Sequence, residues 1–281
     1  MNIAFFANDK KREQDLAEAF IAGVEKRGDK GFVFKTIEND ARFPVPWPDV
    51  VAMVGVKSRD RYRECQDKGI HTIMLDKSYQ RHGGWEWWRC AINAHHPTAT
   101  LMDINRPRDR MADVELSDWR KPTKRGHIVI AGSSAKYHRF YDLPEPTKWA
   151  TDLVAEIRKH TDRPIIYRPK PSWHDAVPID GTSYSKLPDT IGDVLKGAHA
   201  LVTHGSNACF EAVVAGVPCI ILGDGVAKPI SSTDIADIER PYLAPNYDRQ
   251  RWLAALSYCQ WTLEEFKSGE AWAEIRPQIG A

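Results

Sequence analysis

One segment, residues 198–223, constrains the fold of this 281-residue chain more than any other. An apolar run predicts a buried strand that ends at Thr203, and a polar loop leads from it into an amphipathic helix over residues 209–215. Gly216-Val217-Pro218 breaks that helix before a second apolar strand at 219–222. The first N–H groups of a helix lack backbone partners and carry partial positive charge, so the loop suits a phosphate. An ordinary βαβ unit with a tight turn fits the same pattern.

Strands and helices are predicted to alternate along the rest of the chain, which is typical of a parallel sheet covered on both faces. In the first half the predicted strands cover residues 2–7, 32–37, 49–56 and 71–75, and the helices cover 11–26 and 59–67. In the second half the strands cover 127–131 and 164–168, and the helices cover 148–159, 191–196 and 249–274. The charged stretch from about residue 103 to 125 lacks periodicity and reads as a linker. We therefore expect two domains, residues 1–120 and 121–281.

The bulk composition excludes several classes of protein. The formal net charge is +1, so no overall field draws the chain to nucleic acid or to a membrane. The five cysteines form no Cys-x-x-Cys pair, which favours reduced thiols in a cytoplasmic protein and argues against a zinc site. No apolar run approaches the ~20 residues that span a bilayer. The motifs of P-loop kinases, dinucleotide-dependent dehydrogenases, α/β-hydrolases and zincins are missing.

Two motifs carry a resemblance to a known family. Thr-His-Gly-Ser at 203–206, Glu211 and Ala-Gly-Val-Pro at 215–218 resemble the donor-binding half of GT-B glycosyltransferases. Tyr-Arg-Pro-Lys-Pro at 167–171 is similar to the Arg-Pro-His-Pro of capsule-type sugar transferases, with Lys170 in place of the histidine. The resemblance implies an α/β protein of two Rossmann-like domains facing across a cleft, with a C-terminal helix that crosses back onto the first. It also implies that the second domain holds a nucleotide sugar, with a UDP-sugar preferred.

The donor site is expected beyond the carboxyl ends of the second domain's strands, where open α/β sheets bind ligands. Arg168 offers a planar fork and Lys170 a point charge, which together suit a pyrophosphate, although a solvated basic strand end fits as well. The resemblance assigns the ribose hydroxyls to Glu211, and His204 either stabilises the leaving phosphate or caps a strand. The candidate donor-binding residues are Ser133, Arg168, Lys170, His204, Gly205, Ser206, Asn207 and Glu211.

The first domain is expected to bind the acceptor and to supply a base that takes the proton of its hydroxyl. Asp76, after the fourth strand, is preferred; Asp9, after the first strand, and His82 are the other candidates. Aspartates at strand ends also cap the helices that follow. The tryptophans within residues 85–88 suit either stacking on a sugar or base, or packing of a helix between the domains.

The expected reaction is glycosyl transfer to a hydroxyl group without a tightly bound metal, because the chain has no Asp-x-Asp triplet to clamp one. The acceptor is either a hydroxymethylated pyrimidine in DNA, as for phage-type transferases, or a glycan. The basic residues of 59–63 and 106–125 are candidates for contacts with DNA phosphates. A nucleotide-sugar epimerase of the same fold and a non-catalytic nucleic-acid-binding protein remain as alternatives. The sequence leaves the nucleobase, the sugar and the oligomeric state open.

Overall fold

The computed structural model describes residues 1–35, 46–79, 87–103 and 105–279. The chain divides into two compact units: unit 1 is Met1–Pro97 with Tyr258–Ala281, and unit 2 is Thr98–Ser257. The sequence placed the division near residue 120, whereas residues 98–120 belong to unit 2. Hydrogen bonds hold this segment on unit 2, because the N–H groups of Ser117 and Arg120 donate to the carbonyls of Val214 and Gly216.

Eleven strands and nine α-helices lie within the described residues. The strands are β1 (Asn2–Ala7), β2 (Lys30–Lys35), β3 (Val50–Val54), β4 (His71–Lys77), β5 (Trp87–Ile92), β6 (His127–Ala131), β7 (Ile165–Arg168), β8 (Ser183–Tyr184), β9 (Ala198–Thr203), β10 (Cys219–Ile221) and β11 (Gln260–Thr262). The helices are α1 (Lys11–Lys26), α2 (Arg59–Asp67), α3 (Ala135–Phe140), α4 (Pro146–Ile157), α5 (Ile191–Leu195), α6 (Ala208–Val214), α7 (Asn246–Ser257), α8 (Leu263–Ser268) and α9 (Glu270–Ile279).

The sheet of unit 1 has the strand order β11-β5-β4-β3-β1-β2. Strands β1 to β4 are parallel, as their apolar runs predict, whereas β5 and β11 are antiparallel additions at one side. Strand β5 is absent from the sequence prediction. Trp88 is buried in the core of the unit and so cannot stack on a ligand, and it lies in a strand rather than in a helix. Both interpretations of that tryptophan are therefore wrong.

The C-terminal helices α8 and α9 return to unit 1 and pack on α1, which confirms the predicted crossing. The ring of Phe20 on α1 lies 5.6 Å from that of Phe266 and 5.8 Å from that of Trp272, measured between centroids. The helices approach so closely that a Cβ at Gly23 would lie 1.8 Å from the carbonyl oxygen of Phe266. The buried carboxylate of Asp29 accepts hydrogen bonds from Trp272 Nε1 at 2.9 Å and Arg276 Nε at 2.7 Å.

The sheet of unit 2 is entirely parallel and has the order β10-β9-β6-β7-β8. All six residues of β9 are buried, because neighbouring strands and helices cover the strand on both faces. The chain runs from β6 outward through β7 and β8, then returns to place β9 on the other side of β6. In an open sheet this reversal opens a crevice at the carboxyl ends of the two central strands. No helix among the described residues is long and apolar enough to cross a membrane.

Candidate functional site

The loops that follow β6 and β9 lie side by side at this reversal in unit 2. Thr203, the last residue of β9, ties them together: its hydroxyl donates to the carbonyl of Ala131 at 2.8 Å and accepts from the N–H of Ser206 at 3.1 Å. Ser133 follows β6 directly, and His204 follows β9. The structure therefore brings five predicted donor-site residues to one sheet edge, namely Ser133, His204, Gly205, Ser206 and Asn207.

His204 lies among aromatic side chains of the segment that begins at α3. Its ring centroid is 5.7 Å from that of Tyr137 and 5.3 Å from that of Tyr141, and its Nδ1 is 3.0 Å from the Tyr137 hydroxyl. Burial, together with the charge of the nearby His138, lowers the pKa of His204 to about 4. The imidazole is therefore neutral at pH 7, and it can donate only one N–H bond.

Glycines let the backbone close tightly around this histidine. A Cβ at Gly205 would lie 2.2 Å from both the carbonyl oxygen of Asp224 and the hydroxyl of Tyr137. A Cβ at Gly223 would lie 2.1 Å from the imidazole of His204. No side chain fits at either position, so the loops after β9 and β10 are held in one arrangement.

The carboxylate of Asp224 fixes the loop after β10 from the other side. It accepts hydrogen bonds from the hydroxyls of Thr98 at 2.8 Å and Tyr141 at 3.1 Å. The sequence prediction did not include Tyr137 or Tyr141. Their spacing of four places both tyrosines on one side of a helix immediately after Ser133-Ser134, and that spacing is the signal that could have identified them.

Arg168 and Lys170 differ in surroundings although they are neighbours in sequence. The Arg168 side chain is buried, and its two terminal nitrogens donate to the hydroxyl of Ser185 at 2.8 Å and the carbonyl of Asp189 at 2.7 Å. The Ser185 hydroxyl in turn donates to the Asp189 carboxylate at 3.1 Å. Arg168 thus holds the loop between β8 and α5, a role that the sequence did not predict, whereas Lys170 is exposed.

Glu211 lies in the first turn of α6, four residues after Asn207, the N-cap of that helix. Its side chain is half-buried. Ser206 supports the start of the helix, because its hydroxyl accepts from the N–H of Ala208 at 3.4 Å. The carboxylate is therefore on the same strand–loop–helix unit as His204 and Gly205.

The preferred base, Asp76 at the end of β4, belongs to a polar cluster in unit 1. Its carboxylate accepts from Arg89 at 3.2 Å and from the N–H of Lys77 at 2.8 Å, and it lies 3.3 Å from His95 Nε2. Burial alone would raise the pKa of Asp76, but the charge of Arg89 and the contact with His95 outweigh it and hold that pKa well below its usual range. The side chain remains 37% exposed, so solvent reaches it.

The rest of this cluster is buried. Arg89 Nη2 lies 2.6 Å from His95 Nε2, and the hydroxyl of Tyr79 lies 2.6 Å from His96 Nδ1. The Arg89 guanidinium also lies 5.0 Å from the centre of the Tyr79 ring. Asp76 is thus the solvent-reached end of a network built from β4, β5 and the turn after β5.

The other two base candidates lie elsewhere. Asp9 follows β1; its side chain is 73% exposed and pairs with Lys35 at 2.7 Å. His82 lies outside the described residues. Asp76 and Asp9 follow strands of the same parallel sheet, but only Asp76 belongs to a buried network.

Four of the eight arginines proposed for DNA contacts make contacts within the fold. Arg61 is buried, with its guanidinium 3.8 Å from the centre of the Phe6 ring. Arg108 donates to the carbonyls of Met111 and Val114, at 3.0 and 2.6 Å, inside unit 2. Arg110 and Arg120 likewise bond to main-chain carbonyls of that unit. These four side chains therefore have partners in the protein itself.

Two doubly wound α/β units, with the C-terminal helices returned to the first, define the GT-B fold of glycosyltransferases. The structure is similar to two transferases of KpsC from Thermosulfurimonas dismutans. It matches the beta Kdo 2,7 transferase with a TM-score of 0.55 and 13% identity, over 96% of this chain and 99% of that one. For the beta Kdo 2,4 transferase the TM-score is 0.52 and the identity 11%, over 89% of each chain. Comparison of the sequence with protein-family models and with curated proteins found no match.

Proposed function

We propose that this protein is a glycosyltransferase that moves a sugar from a nucleotide-sugar donor, held by unit 2, to a hydroxyl group of an acceptor. The observation that carries the proposal is the edge of unit 2 at the chain reversal, where a neutral His204 lies between loops closed on Gly205 and Gly223. Such a site offers fixed hydrogen-bond donors to an oxyanion and requires no side-chain rearrangement as charge develops.

His204 is proposed to donate to a phosphate oxygen of the departing nucleotide. We propose that the Tyr137 hydroxyl, 3.0 Å from Nδ1, donates to that nitrogen, so that the single imidazole proton is on Nε2 and faces the ligand. Because the pKa of His204 lies near 4, the number of its protons stays constant throughout the neutral range. Tyr137 is in this view a positioning residue, since it acts on the ligand through the imidazole.

The remaining contacts with the donor are proposed to be of two kinds, ionic contacts and hydrogen bonds. Lys170 is proposed to supply positive charge to the diphosphate, and Ser133, Ser206 and Asn207 to supply hydrogen bonds. Glu211 is proposed to accept from the ribose hydroxyls, and we propose a UDP-sugar as donor with no metal ion required. Arg168 contributes by holding the loop at 185–189 beside the site, because its terminal nitrogens already have protein partners.

Asp76 is proposed as the base that accepts the proton of the acceptor hydroxyl. Its lowered pKa keeps it ionised at neutral pH, so it is always able to accept. The same shift makes it a weak base, which fits a reaction in which the proton leaves late, after the glycosidic bond to the nucleotide has begun to break. For the acceptor we propose a glycan, because Arg61 and Arg108 are occupied within the fold.

Thermal-shift measurements with the four common nucleoside diphosphates and their sugar derivatives test the donor site. A ligand at 100 times its dissociation constant stabilises the native state by about 2.7 kcal/mol. We expect a clear shift with one nucleotide family, lost in His204→Gln and kept in His160→Gln, a matched substitution on a half-exposed histidine of the same unit. Equal shifts in both variants would exclude the proposed role of His204.

Mass spectrometry of reaction mixtures then tests the activity. The donor that gives the shift is incubated with acidic and neutral oligosaccharides and, separately, with hydroxymethylated DNA. A glycosylated oligosaccharide supports the proposal, whereas a glycosylated base would transfer the assignment to DNA modification. Epimers have the same mass, so the donor is also incubated without an acceptor and its sugar is followed by proton NMR; a change in that sugar would identify an epimerase instead.

A further inference from the structure

A cavity of about 260 Å³ opens in unit 2 at the edge of the sheet where the strands begin. It is lined by Thr123 ahead of β6, His199 at the start of β9 and Pro218 ahead of β10. His199 lies in β9 and His204 directly after its end, five residues apart, which at ~3.3 Å per residue puts the cavity roughly 16 Å from the proposed donor edge. The cavity is thus a separate place in the fold from the site described above.

His199, one of the lining residues, carries an unsatisfied acceptor. The side chain is 6% exposed, and its Nε2 donates to the carbonyl of Ile238 at 2.9 Å. A carbonyl can only accept, so Nε2 carries the proton and Nδ1 presents a lone pair. Nδ1 is buried and has no hydrogen-bond partner among the described residues. Burial and the charge of Arg163 lower the pKa of His199, which keeps the imidazole neutral. A buried acceptor of this kind favours a ligand that carries a hydroxyl or N–H donor.

The walls of the cavity also carry uncompensated positive charge. Arg120, Lys121 and Arg240 belong to the lining. The carboxylate of Glu239, also in the lining, is already held by Arg163 through two bonds of 2.9 Å. In the part of the chain that the structure describes, neither Lys121 nor Arg240 pairs with a carboxylate. The cavity therefore favours an anion, most of all a compact one such as a phosphate.

The rest of the lining is stiff and apolar. Pro122, Pro218, Pro241 and Leu243 contribute to it, and the prolines bring no N–H groups that a ligand would have to satisfy. We propose that this cavity is a binding site for a sugar phosphate, whose phosphate contacts Lys121 and Arg240 and whose hydroxyl donates to His199 Nδ1. The cavity has room for a single sugar ring, and its position leaves the donor edge of the sheet accessible at the same time.

Titration calorimetry on the full chain tests the proposal with glucose 6-phosphate, glucose, inorganic phosphate and uridine monophosphate. We expect glucose 6-phosphate to bind more tightly than either glucose or inorganic phosphate, because only it satisfies both the cations and the imidazole. Lys121→Ala should weaken its binding about tenfold, as expected for loss of one charged hydrogen bond. Lys124→Ala is the matched control, since it removes the same charge from an exposed residue of the same segment outside the cavity.

Four other outcomes would contradict the proposal. Equal affinities of the two lysine variants, or no binding of glucose 6-phosphate at millimolar concentration, would overturn the site. Inorganic phosphate that binds as tightly as glucose 6-phosphate would overturn the role of His199, and tighter binding of uridine monophosphate would overturn the assignment to a sugar. Because Lys121 and Lys124 are both exposed, the test does not depend on a variant that fails to fold. It needs no transferase activity, so its result is independent of the function proposed above.

Discussion

The two units each place polar residues at the carboxyl ends of parallel strands, but they do so by opposite means. In unit 2 the imidazole of His204 is neutral, and its surroundings are shaped by the close backbone at Gly205 and Gly223. In unit 1 the site around Asp76 is charged and is shaped by side chains that meet on Arg89. The comparison shows two ways of fixing a polar side chain at a sheet edge: close backbone contact in unit 2 and a charged partner in unit 1.

The largest loss of stability is expected from replacing Arg89, the residue at the centre of the charged cluster in unit 1. Arg89→Met leaves the Asp76 carboxylate and the His95 imidazole without their buried donor, and we expect it to destabilise the protein by about 3 kcal/mol. Chemical denaturation measures this change. Arg125→Met, which replaces an exposed arginine, should alter the free energy of unfolding by less than about 0.5 kcal/mol. A loss as small in Arg89→Met would mean that the cluster contributes no structure to unit 1.

A smaller loss of stability is expected from a substitution at Gly205, the glycine that packs closely beside His204. Gly205→Ala puts a methyl 2.2 Å from a backbone carbonyl and from the Tyr137 hydroxyl, so the loop must shift. Overpacking of this kind costs about 1–3 kcal/mol, and we expect donor binding to be lost with it. Gly192→Ala is the control, because its Cβ would have no neighbour closer than 3.6 Å. Normal nucleotide binding by Gly205→Ala would contradict the placement of the donor at this loop.

Arg89 and Gly205 also show how far the fold could be predicted from the sequence. Apolar runs followed by polar turns predicted the parallel strands and the loop at 203–207, because that information is local. Strand β5 was missed since it carries Arg89 at its centre, and that arginine is tolerated only where Asp76, His95 and Tyr79 converge from separate segments. Contacts between distant segments of this kind leave no periodic signal in the sequence.

The same limit applies to the proposed donor site. The sequence made Arg168 a candidate from its type and its place at a strand end, but gave no sign of the loop at 185–189 that occupies its terminal nitrogens. It made His204 a candidate but not Tyr137, which lies 67 residues away and contacts its ring. The sequence therefore shows which residue types lie at strand ends. The partners that fix the protonation and orientation of those residues come from tertiary contacts, which the sequence does not show.

The pH dependence of stability should separate the two sites. The pKa of His204 falls from 6.5 to about 4 on folding, so the unfolded state takes up a proton first and stability is lost as pH falls from 6.5 to 4. The pKa of Asp76 is also lowered, from 3.8, so its stabilisation is present above that pH and is lost only in stronger acid. Denaturation curves between pH 3 and 8 measure the His204 window, and curves continued below pH 3 measure the Asp76 window.

Variants assign each window to its residue. His204→Gln should reduce the loss between pH 6.5 and 4, though not abolish it, because the pKa values of His138 and His199 are lowered as well. Asp76→Asn should leave that window unchanged and reduce, though not abolish, the loss of stability in stronger acid, because the pKa of Asp29 is lowered as well. The opposite result, in which Asp76→Asn changes the window between pH 6.5 and 4 and His204→Gln changes only the loss in stronger acid, would contradict both assignments.

A modest effect is expected from the residue that directs His204. Tyr137→Phe removes one hydrogen bond and should cost about 1 kcal/mol of stability. Nucleotide affinity should fall by more than stability alone explains, because both ring nitrogens of the imidazole are then free to carry the proton. Tyr141→Phe removes a hydrogen bond to Asp224 instead and serves as the control. The same affinity in both variants would limit Tyr137 to packing.

The smallest effect is expected at the exposed aspartate of unit 1. Asp9→Asn breaks only a surface pair with Lys35, which contributes less than about 1 kcal/mol, so stability should hardly change. Once a donor and an acceptor are known, turnover decides between the candidate bases: loss of a general base lowers it by about 10²–10⁴-fold. Asp76→Asn should show that loss while Asp9→Asn keeps its rate, because only Asp76 of these two belongs to a buried network that fixes its orientation. A loss of rate in Asp9→Asn with a normal rate in Asp76→Asn would mean that the charged cluster is structural and that Asp9 is the base.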